Sequence, residues 1–253
     1  MLNHPPSLPG VGSQFDRVLV GTHHKCGTVW MIKIFRAICV RRSLVFYDGE
    51  QRHLPRHYDV FFQDHSQFDF TTLVGPHRGL HLIRDPRDLI ISAAFYHEVC
   101  TTERWLRRRR WAFYGRSYQT SLARLPSLED KLLFEMMHSS GATIRDMLAW
   151  NYANPNFYEA KYEDLIADVA LRRFQDIFAF LRFPEDQMDE LLQIALANSL
   201  FSGQVTAPPG HIRSGQPGQW RMFFTKTIHR RFLELFGDVL IRLGYERNDQ
   251  WCP

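Results

Sequence analysis

The sequence predicts one α/β domain with a central, mostly parallel sheet flanked by helices. Short apolar runs that end in turn residues alternate with longer segments of helical periodicity, and this alternation is typical of strand-helix-strand units. The length of 253 residues suits one such domain, and no repeat or linker divides the chain. We therefore assign residues 16–253 to the domain and residues 1–15 to a flexible N-terminal leader.

The first half of the chain opens with a strand, a glycine-containing loop and a helix at residues 29–42. The helix after the fourth strand should begin with Asp85 as its N-cap and Pro86 in its first position, because an acid and a proline favour these two places. The four strands that we expect in this half lie at residues 16–22, 43–47, 58–63 and 79–84.

The second half begins with residues 100–125, which are rich in arginine and aromatic residues and have no clear period. Ser127 and Asp130 form a capping pattern that predicts one long helix through Trp150. Three further elements complete the prediction: a strand at 157–162, two amphipathic helices divided at Phe183-Pro184, and a last helix at 229–243.

The net charge of +4 is concentrated in one segment. Six arginines and one acid, Glu103, lie between Thr101 and Arg116, so this stretch carries +5 and the remaining residues −1. That distribution argues against a broad nucleic-acid-binding face. The chain has neither a run of about 18 apolar residues nor a signal peptide, and its cysteines show no metal or disulfide spacing. We expect a cytoplasmic protein with reduced thiols, no membrane span and no metal.

The loop at residues 21–30, with the sequence GTHHKCGTVW, predicts a phosphate site. A strand-loop-helix start directs backbone N–H groups and the positive end of a helix towards an anion. A nucleotide triphosphatase would carry its lysine directly after the second glycine, whereas Lys25 comes two residues before Gly27. The lysine therefore lies in the loop, where it suits contact with a group that is transferred or leaves. A plain tight turn is the alternative.

Two further segments carry groups that suit a second phosphate. Arg84 ends a predicted strand and Ser92 follows eight residues later in the next helix, so both could face one phosphate at the carboxyl edge of the sheet. An ordinary capped helix start is the alternative. Residues 211–220 form a glycine-rich basic loop, which by itself indicates only a flexible loop.

Together, these segments resemble the sulfotransferases that use 3′-phosphoadenosine 5′-phosphosulfate (PAPS). Residues 24–30 match the family's Pro-Lys-Ser-Gly-Thr-Thr-Trp loop, and residues 213–220 match its Arg-Lys-Gly-x-x-Gly-Asp-Trp. Arg84 and Ser92 match its arginine and serine at the same spacing, and Tyr162 begins a Tyr-Glu-Asp that the family also has. The resemblance extends from about residue 16 to residue 245, and the order of the motifs agrees throughout.

The resemblance implies in-line transfer of a sulfuryl group from PAPS to an acceptor hydroxyl, with 3′-phosphoadenosine 5′-phosphate (PAP) as the product. Lys25 would donate to the bridging oxygen, and His65, after the third strand, would be the general base. Trp30 and Phe201 would stack on adenine, for which core packing is the alternative. The implied nucleotide-binding residues are Lys25, Cys26, Gly27, Thr28, Val29, Trp30, Arg84, Ser92, Tyr162, Ser199, Phe201, Arg213, Ser214 and Gly215.

The sequence departs from the family at several site positions. His24 replaces a proline, Cys26 a serine, and Gln63 and Ser214 each a lysine, and these changes should weaken PAPS binding. His23, His24 and His97 match no base position in the family, so we expect them to make surface or loop hydrogen bonds. The family's dimerisation motif is not matched, which leaves the oligomeric state open.

Residues 100–125 occupy the place of the family's acceptor wall, so we predict an acceptor lid there. Arg107 to Arg110, with Trp105, Trp111, Phe113 and Tyr114, would contact an acceptor that is anionic, amphipathic or bound to an acidic carrier. A solvated basic loop is the alternative. Two other functions stay open: a P-loop kinase of a small molecule, although the serine or threonine expected after Gly-Lys is missing, and a nucleotide-binding protein without turnover.

Overall fold

The computed structural model describes residues 16–199 and 215–251. The leader at residues 1–15 and the candidate residues Phe201, Arg213 and Ser214 lie outside this described part. Within it, a five-stranded parallel sheet is flanked by helices, which confirms the predicted fold class. The strands are β1 (Arg17–Gly21), β2 (Phe46–Tyr47), β3 (Val60–Gln63), β4 (His77–Ile83) and β5 (Phe157–Lys161).

The strands lie in the order β2-β3-β1-β4-β5, so β1 is central. Gly21, the last residue of β1, lies beside Gln63 of β3 and His81 of β4. The chain first builds the sheet on one side of β1 and then continues on the other side with β4 and β5. The loops that follow β1 and β4 therefore meet where the strand order reverses, which is where open α/β sheets bind ligands.

The helices begin where the sequence provides caps. The side chain of Asp85 accepts a hydrogen bond from the Arg87 amide, with Pro86 next to it, as predicted. Ser127 accepts in the same way from the amide of Asp130. The helices of the described part are α1 (Thr28–Arg42), α2 (Pro86–Val99), α3 (Arg104–Arg107), α4 (Tyr118–Ala123), α5 (Leu128–Met137), α6 (Ser139–Ala149), α7 (Tyr162–Ala167), α8 (Arg172–Phe180), α9 (Met188–Ala197), α10 (Trp220–Phe223), α11 (Lys226–Phe236) and α12 (Val239–Arg242).

The prediction of one helix from Ser127 to Trp150 is wrong. His138 leaves the helical conformation, with φ −124° and ψ −111°, and separates α5 from α6. At this break Gly141 lies against the carbonyl of Met136, where a Cβ atom would be only 2.1 Å from the oxygen. The glycine therefore permits a close approach of the two helices that any side chain would prevent.

The last helix also differs from its prediction. It begins at Lys226, capped by the Thr225 side chain, and ends at Phe236. Gly237 ends the helix, because its φ of 53° and ψ of −118° are far from helical values, and the short α12 follows. The predicted strand at 43–47 is reduced to Phe46–Tyr47.

The sheet separates two apolar layers, because alternate residues of a strand face opposite sides. Val18 and Val20 pack with Ile34 of α1 and Phe178 of α8. Leu19, between the two valines, packs with an aromatic cluster on the other face. A further cluster joins α2, α5, α6 and α11. Among the described residues, no helix has the length and apolarity needed to cross a bilayer.

Candidate functional site

The loop between β1 and α1 carries the first predicted site. Lys25 and Gly27 both have left-handed backbone conformations, with φ of 64° and 89°. Gly27 is the N-cap of α1, and no side chain caps this end. The first N–H groups of the helix therefore have no partner from the helix or from a cap. Such an end attracts an anion, because the N–H groups and the helix dipole are both positive there.

Lys25 lies in a desolvated and positively charged setting. Its Nζ is 3.6 Å from the centroid of the Tyr96 ring. Its backbone carbonyl accepts a hydrogen bond from Nη1 of Arg84 over 3.0 Å. Burial, with a further contribution from the charge of Arg84, lowers the pKa of Lys25 from 10.5 to about 7. An anion beside these two cations would restore the charged form of the lysine.

Arg84 is buried at the end of β4 and contacts the second group of predicted residues. Its guanidinium lies 4.6 Å from the centroid of the Tyr162 ring, and the Tyr162 hydroxyl donates to the carbonyl of Gly215 over 2.8 Å. Nε of Arg84 is buried and has no hydrogen-bond partner among the described residues. A buried donor in this state is open to an oxygen of a ligand. Ser92 lies half-buried on α2.

Asp88 is a site residue that the sequence analysis missed. Its carboxylate accepts hydrogen bonds from the amides of Gly218, over 2.6 Å, and Trp220, over 2.9 Å. It thereby ties the glycine-rich C-terminal loop to α2, and burial raises its pKa. One signal was present in the sequence: Asp85 suits the N-cap, so a second acid three residues later, at Asp88, had no assigned partner.

The predicted residues of the first loop differ in what they offer to an anion. The amide of Cys26 donates to the carbonyl of His23 over 2.9 Å, and its thiol is fully buried, which raises its pKa. Neither group of Cys26 is available to a ligand in this structure. The Thr28 hydroxyl donates to the same carbonyl over 3.1 Å, and Val29 is exposed.

Trp30 and Ser199, two further candidates for adenine recognition, are both buried. Trp30 packs edge-on against Phe174 and Tyr162, as its core-packing alternative requires, while its Nε1 has no hydrogen-bond partner among the described residues. Ser199 follows α9, and its hydroxyl donates to the carbonyl of Leu196 over 2.8 Å. Their contacts with a base stay predictions.

His65 is exposed and follows the end of β3 by two residues. It is near enough to His23 and His24 for its charge to lower the pKa of both. Because β3 lies next to β1, the predicted base and the loop that contains Lys25 lie at the same edge of the sheet. The assignment of His65 as base stays a prediction.

His23 and His24 do make hydrogen bonds from the loop, as expected, but to other histidines. His23 and His97 are fully buried, so the expectation of a surface position is wrong for them. His24 and His97 stack with ring centroids 5.0 Å apart, and their Nε2 atoms are 2.8 Å apart. Nδ1 of His97 lies 2.6 Å from Oε1 of Glu135, and both of these residues are fully buried. We call His24, His97 and Glu135 the His24 chain.

A second arrangement of the same kind starts at His23. Its Nε2 lies 2.9 Å from Nε2 of His81, whose Nδ1 is 2.6 Å from Oε2 of Glu159. Burial raises the pKa of Glu159 to about 7 and lowers that of His81 to about 3. We call His23, His81 and Glu159 the His23 chain. The sequence offered no signal for either chain, because their members come from separate elements.

The segment at residues 100–125 folds against α2 and does not extend freely into solvent. Leu106 and Tyr118 are buried. The two N–H groups of Gln119 Nε2 lie within hydrogen-bond distance of three carbonyls at the end of α2, those of His97, Glu98 and Cys100. This amide supplies partners that the last turn of a helix lacks. The segment is therefore fixed beside the His24 chain.

The aromatic residues predicted to contact an acceptor divide into two groups. Trp105 packs against His97 with ring centroids 5.2 Å apart, and Phe113 packs against Tyr118. Trp111 and Tyr114 are 96% and 92% exposed at the tip of the segment. The exposed arginines beside this tip are Arg107, Arg108, Arg109 and Arg110.

Comparison with known proteins identifies the family. A family model described as a sulfotransferase domain matches residues 76–244, which is two thirds of the chain and begins after the first loop. No curated protein matches the sequence significantly. Among solved structures, mouse sulfotransferase SULT7A1 complexed with PAP is similar with a TM-score of 0.58 and 17% identity, over 89% of this chain and 84% of that one.

Two complexes of retinol dehydratase are similar as well, both at 17% identity. The complex with androsterone and the inactive cofactor PAP has a TM-score of 0.53 and covers 88% of this chain and 80% of its own. The complex with retinol and PAP has a TM-score of 0.52 and covers 94% and 83%. At this identity the likeness concerns the fold.

Proposed function

Because this chain belongs to the sulfotransferase domain family, we propose that it transfers a sulfuryl group from PAPS to an acceptor hydroxyl. One observation carries the proposal: Lys25, Arg84 and the uncapped start of α1 converge on one place at the carboxyl edge of the sheet. Two cations and a row of N–H groups suit a nucleotide with several anionic groups. The solved relatives described above hold PAP.

The residues present fit such a nucleotide. The N–H groups at the start of α1 and Lys25 would hold the 5′-phosphosulfate, since that end has no cap of its own. Arg84, whose buried Nε has no partner among the described residues, would hold the 3′-phosphate together with Ser92 and the Gly215 amide. Phe201, Arg213 and Ser214 keep their predicted roles from the resemblance alone.

PAPS would supply an activated sulfuryl group, and the transfer resembles phosphoryl transfer in depending on position and charge. Lys25 would donate to the oxygen that carries the new negative charge on the leaving phosphate. Burial and Arg84 lower the pKa of Lys25 to about 7 in the free protein, and the bound anion would restore the protonated form that donates to this oxygen. His65, at the same sheet edge, is the base that the resemblance implies for the proton of the acceptor hydroxyl.

The acceptor would enter beside residues 100–125, which we propose as a lid. The exposed arginines and rings at its tip favour an anionic or amphipathic acceptor, since the same short surface offers both charge and apolar area. The proposal includes the expected cytoplasmic location. The free thiols of Cys26, Cys39 and Cys100 agree with it.

Thermal unfolding with added nucleotide tests the proposal. At 100 times its Kd, PAP should stabilise the folded chain by about 2.7 kcal/mol, which is roughly 5–10 °C in Tm for a chain of this size. Lys25→Met should reduce the shift, whereas Lys226→Met, an exposed lysine on α11, should not. A larger shift with ATP and Mg²⁺ would favour the kinase. A PAP shift without transfer of ³⁵S from labelled PAPS to any hydroxyl compound would favour a binding protein.

A further inference from the structure

The His24 chain links the first loop to the helical layer through three side chains. His24 is half-buried, whereas His97 and Glu135 are fully buried. Glu135 is surrounded by hydrogen-bond donors: the Ser140 hydroxyl lies 2.8 Å from its Oε2, and the Tyr118 hydroxyl also bonds to it. A buried carboxylate with this many donors is compensated in its ionised form.

The hydrogen-bonding capacity of each group assigns the protons when Glu135 is ionised and each histidine carries one ring proton. An ionised carboxylate only accepts hydrogen bonds, so Nδ1 of His97 carries a proton and donates it to Glu135. Nε2 of the neutral His97 is then an acceptor, so Nε2 of His24 carries a proton and donates it to His97. Nδ1 of His24 is consequently left with a free lone pair, which is the form of a proton acceptor.

We propose that in this chain His24 takes the role that the resemblance implies for His65: its Nδ1 accepts the proton of the acceptor hydroxyl, and His97 and Glu135 are its positioning residues. The inference rests on the proposed sulfuryl transfer. The family's loop has proline at this position, which has no titratable group, so the role would belong to this chain and to relatives with the same three residues.

In the proposed step, the acceptor O–H bond breaks and its proton moves to Nδ1 of His24. The electron pair of that bond stays on the acceptor oxygen, which forms a bond to sulfur. The bond from sulfur to the bridging oxygen breaks, and its electron pair remains on the phosphate of PAP. The positive charge on His24 is shared with His97, whose other nitrogen faces the negative charge of Glu135.

His24 lies on the side of the loop where an acceptor would approach. Its ring centroid is 5.9 Å from that of Tyr96, and Nζ of Lys25 is 3.6 Å from the same Tyr96 centroid. Trp105 of the lid meets His24 edge-on with ring centroids 6.4 Å apart. His24 and Lys25 therefore both lie beside the Tyr96 ring, and Trp105 of the lid contacts His24.

The charges around His24 keep it neutral in the free protein. Burial is the largest cause that lowers its pKa, followed by His97, Lys25 and His65. Glu135 acts through His97 and not by direct contact. A bound anionic nucleotide beside Lys25 would offset these positive neighbours and make His24 a stronger base.

The His23 chain provides an internal comparison. It has the same order of groups, but His23 is fully buried and its Nδ1 has no hydrogen-bond partner among the described residues. An acceptor hydroxyl has no route to that nitrogen without movement of the loop. A substitution of His81, which is fully buried like His97, therefore removes hydrogen bonds to a histidine and to a carboxylate without removing a base of the site.

Nuclear magnetic resonance of the full chain with ¹⁵N-labelled histidine tests the proton positions. Spectra with and without PAP should show His24 protonated at Nε2 and bare at Nδ1, with the signals assigned from His24→Gln. His97→Gln should remove this preference and let His24 titrate nearer to 6.5. A proton on Nδ1 of His24 in the unaltered chain at neutral pH would overturn the proposal, whatever acceptor the protein uses.

Turnover of labelled PAPS with 2-naphthol as the probe acceptor tests the role. His24→Gln should lower kcat by about 10²-fold or more and leave the Kd for PAP within about twofold. Glu135→Gln should lower kcat and shift the pH profile. His81→Gln should lower Tm as His97→Gln does, with kcat much less affected. The role would be refuted if His81→Gln and His97→Gln lowered kcat equally, or if His24→Gln were fully active. Absence of PAP binding in the unaltered chain would instead refute the proposed function.

Discussion

Arg84 donates a hydrogen bond from Nη1 to the backbone carbonyl of Lys25, over 3.0 Å. The two residues belong to the loops that follow neighbouring strands of the sheet. The backbone of Lys25 has φ 64°, a left-handed value that residues other than glycine rarely adopt, and this bond stabilises it. The arginine proposed for the 3′-phosphate therefore also shapes the loop proposed for the 5′-phosphosulfate.

The depressed pKa of Lys25 predicts that PAP binding takes up a proton at pH 8. Lys25, with a pKa of about 7, is mostly neutral there in the free protein, and the anion should restore its charge. Calorimetry in buffers of different ionisation enthalpy should give an uptake of nearly one proton at pH 8 and little at pH 6. Lys25→Met should abolish the difference, and an unchanged uptake in that variant would contradict the assignment.

The same shift has a consequence for stability. The folded pKa of Lys25, about 7, lies below its ordinary value of 10.5. Between these two values the unfolded chain binds more protons at this residue than the folded chain, so its contribution makes the free energy of unfolding rise with pH. Lys25→Met should flatten this rise in urea unfolding measured from pH 7 to pH 10.

Gly27→Ala should destabilise the chain and abolish PAP binding. The left-handed φ of 89° costs about 1–2 kcal/mol for a residue with a Cβ, and that atom would lie 3.2 Å from Tyr162 and 3.3 Å from Leu82. Gly75→Ala is the matched control, since Gly75 has φ 85° and no atom within 4 Å of the added Cβ. Equal losses of unfolding free energy with retained PAP binding in both variants would show that the contacts of Gly27 do not matter.

Asp88→Asn should loosen the C-terminal loop. An amide has a single acceptor oxygen, so one of the bonds from Gly218 and Trp220 would face an N–H group. We expect a loss of about 1–3 kcal/mol in unfolding free energy and weaker binding of PAP, measured by urea unfolding and calorimetry. Asp249→Asn, at an exposed site, is the control and should change neither quantity. A normal PAP affinity in Asp88→Asn would show that the contacts of Asp88 do not contribute to nucleotide binding.

The arginines at the tip of the lid should favour acceptors that carry a negative charge. Replacing Arg107 to Arg110 with alanine should raise KM for 6-hydroxy-2-naphthoate by about tenfold, leave KM for 2-naphthol unchanged, and leave the Kd for PAP alone. The effect should shrink in high salt, because these side chains are exposed. Arg230→Ala with Arg247→Ala removes two exposed arginines elsewhere and serves as the control. Equal changes in KM for the two acceptors would show that these arginines do not select a charged acceptor and would favour the solvated-loop alternative.

The sequence predicted the elements whose causes are local. Asp85 and Pro86 placed the start of α2, and the alternation of strands and helices predicted the parallel sheet. The break at His138 depends on Gly141 meeting the carbonyl of Met136, a contact that no periodic pattern reveals. A single-helix prediction was the natural result of the periodicity alone.

The candidate site divides in the same way. Lys25, Gly27 and Arg84 could be found because strand ends and loops place them at one edge. Asp88 was missed because its partners, Gly218 and Trp220, are 130 and 132 residues away in sequence. The two histidine chains were missed because tertiary packing pairs each loop histidine with another buried histidine, and neither spacing nor composition reports that pairing.

The hydrogen bonds of the His24 chain also predict how positions 24, 97 and 135 should vary among homologues. In a relative with proline at position 24, Nε2 of His97 would lose its donor and remain buried without a partner, which costs about 1–3 kcal/mol. The carboxylate of Glu135 would keep its histidine but lose its connection to the loop. Descent should therefore preserve histidine, histidine and glutamate at 24, 97 and 135 as a set, or replace all three, and an alignment of close homologues would display that covariation across three separate elements of the fold.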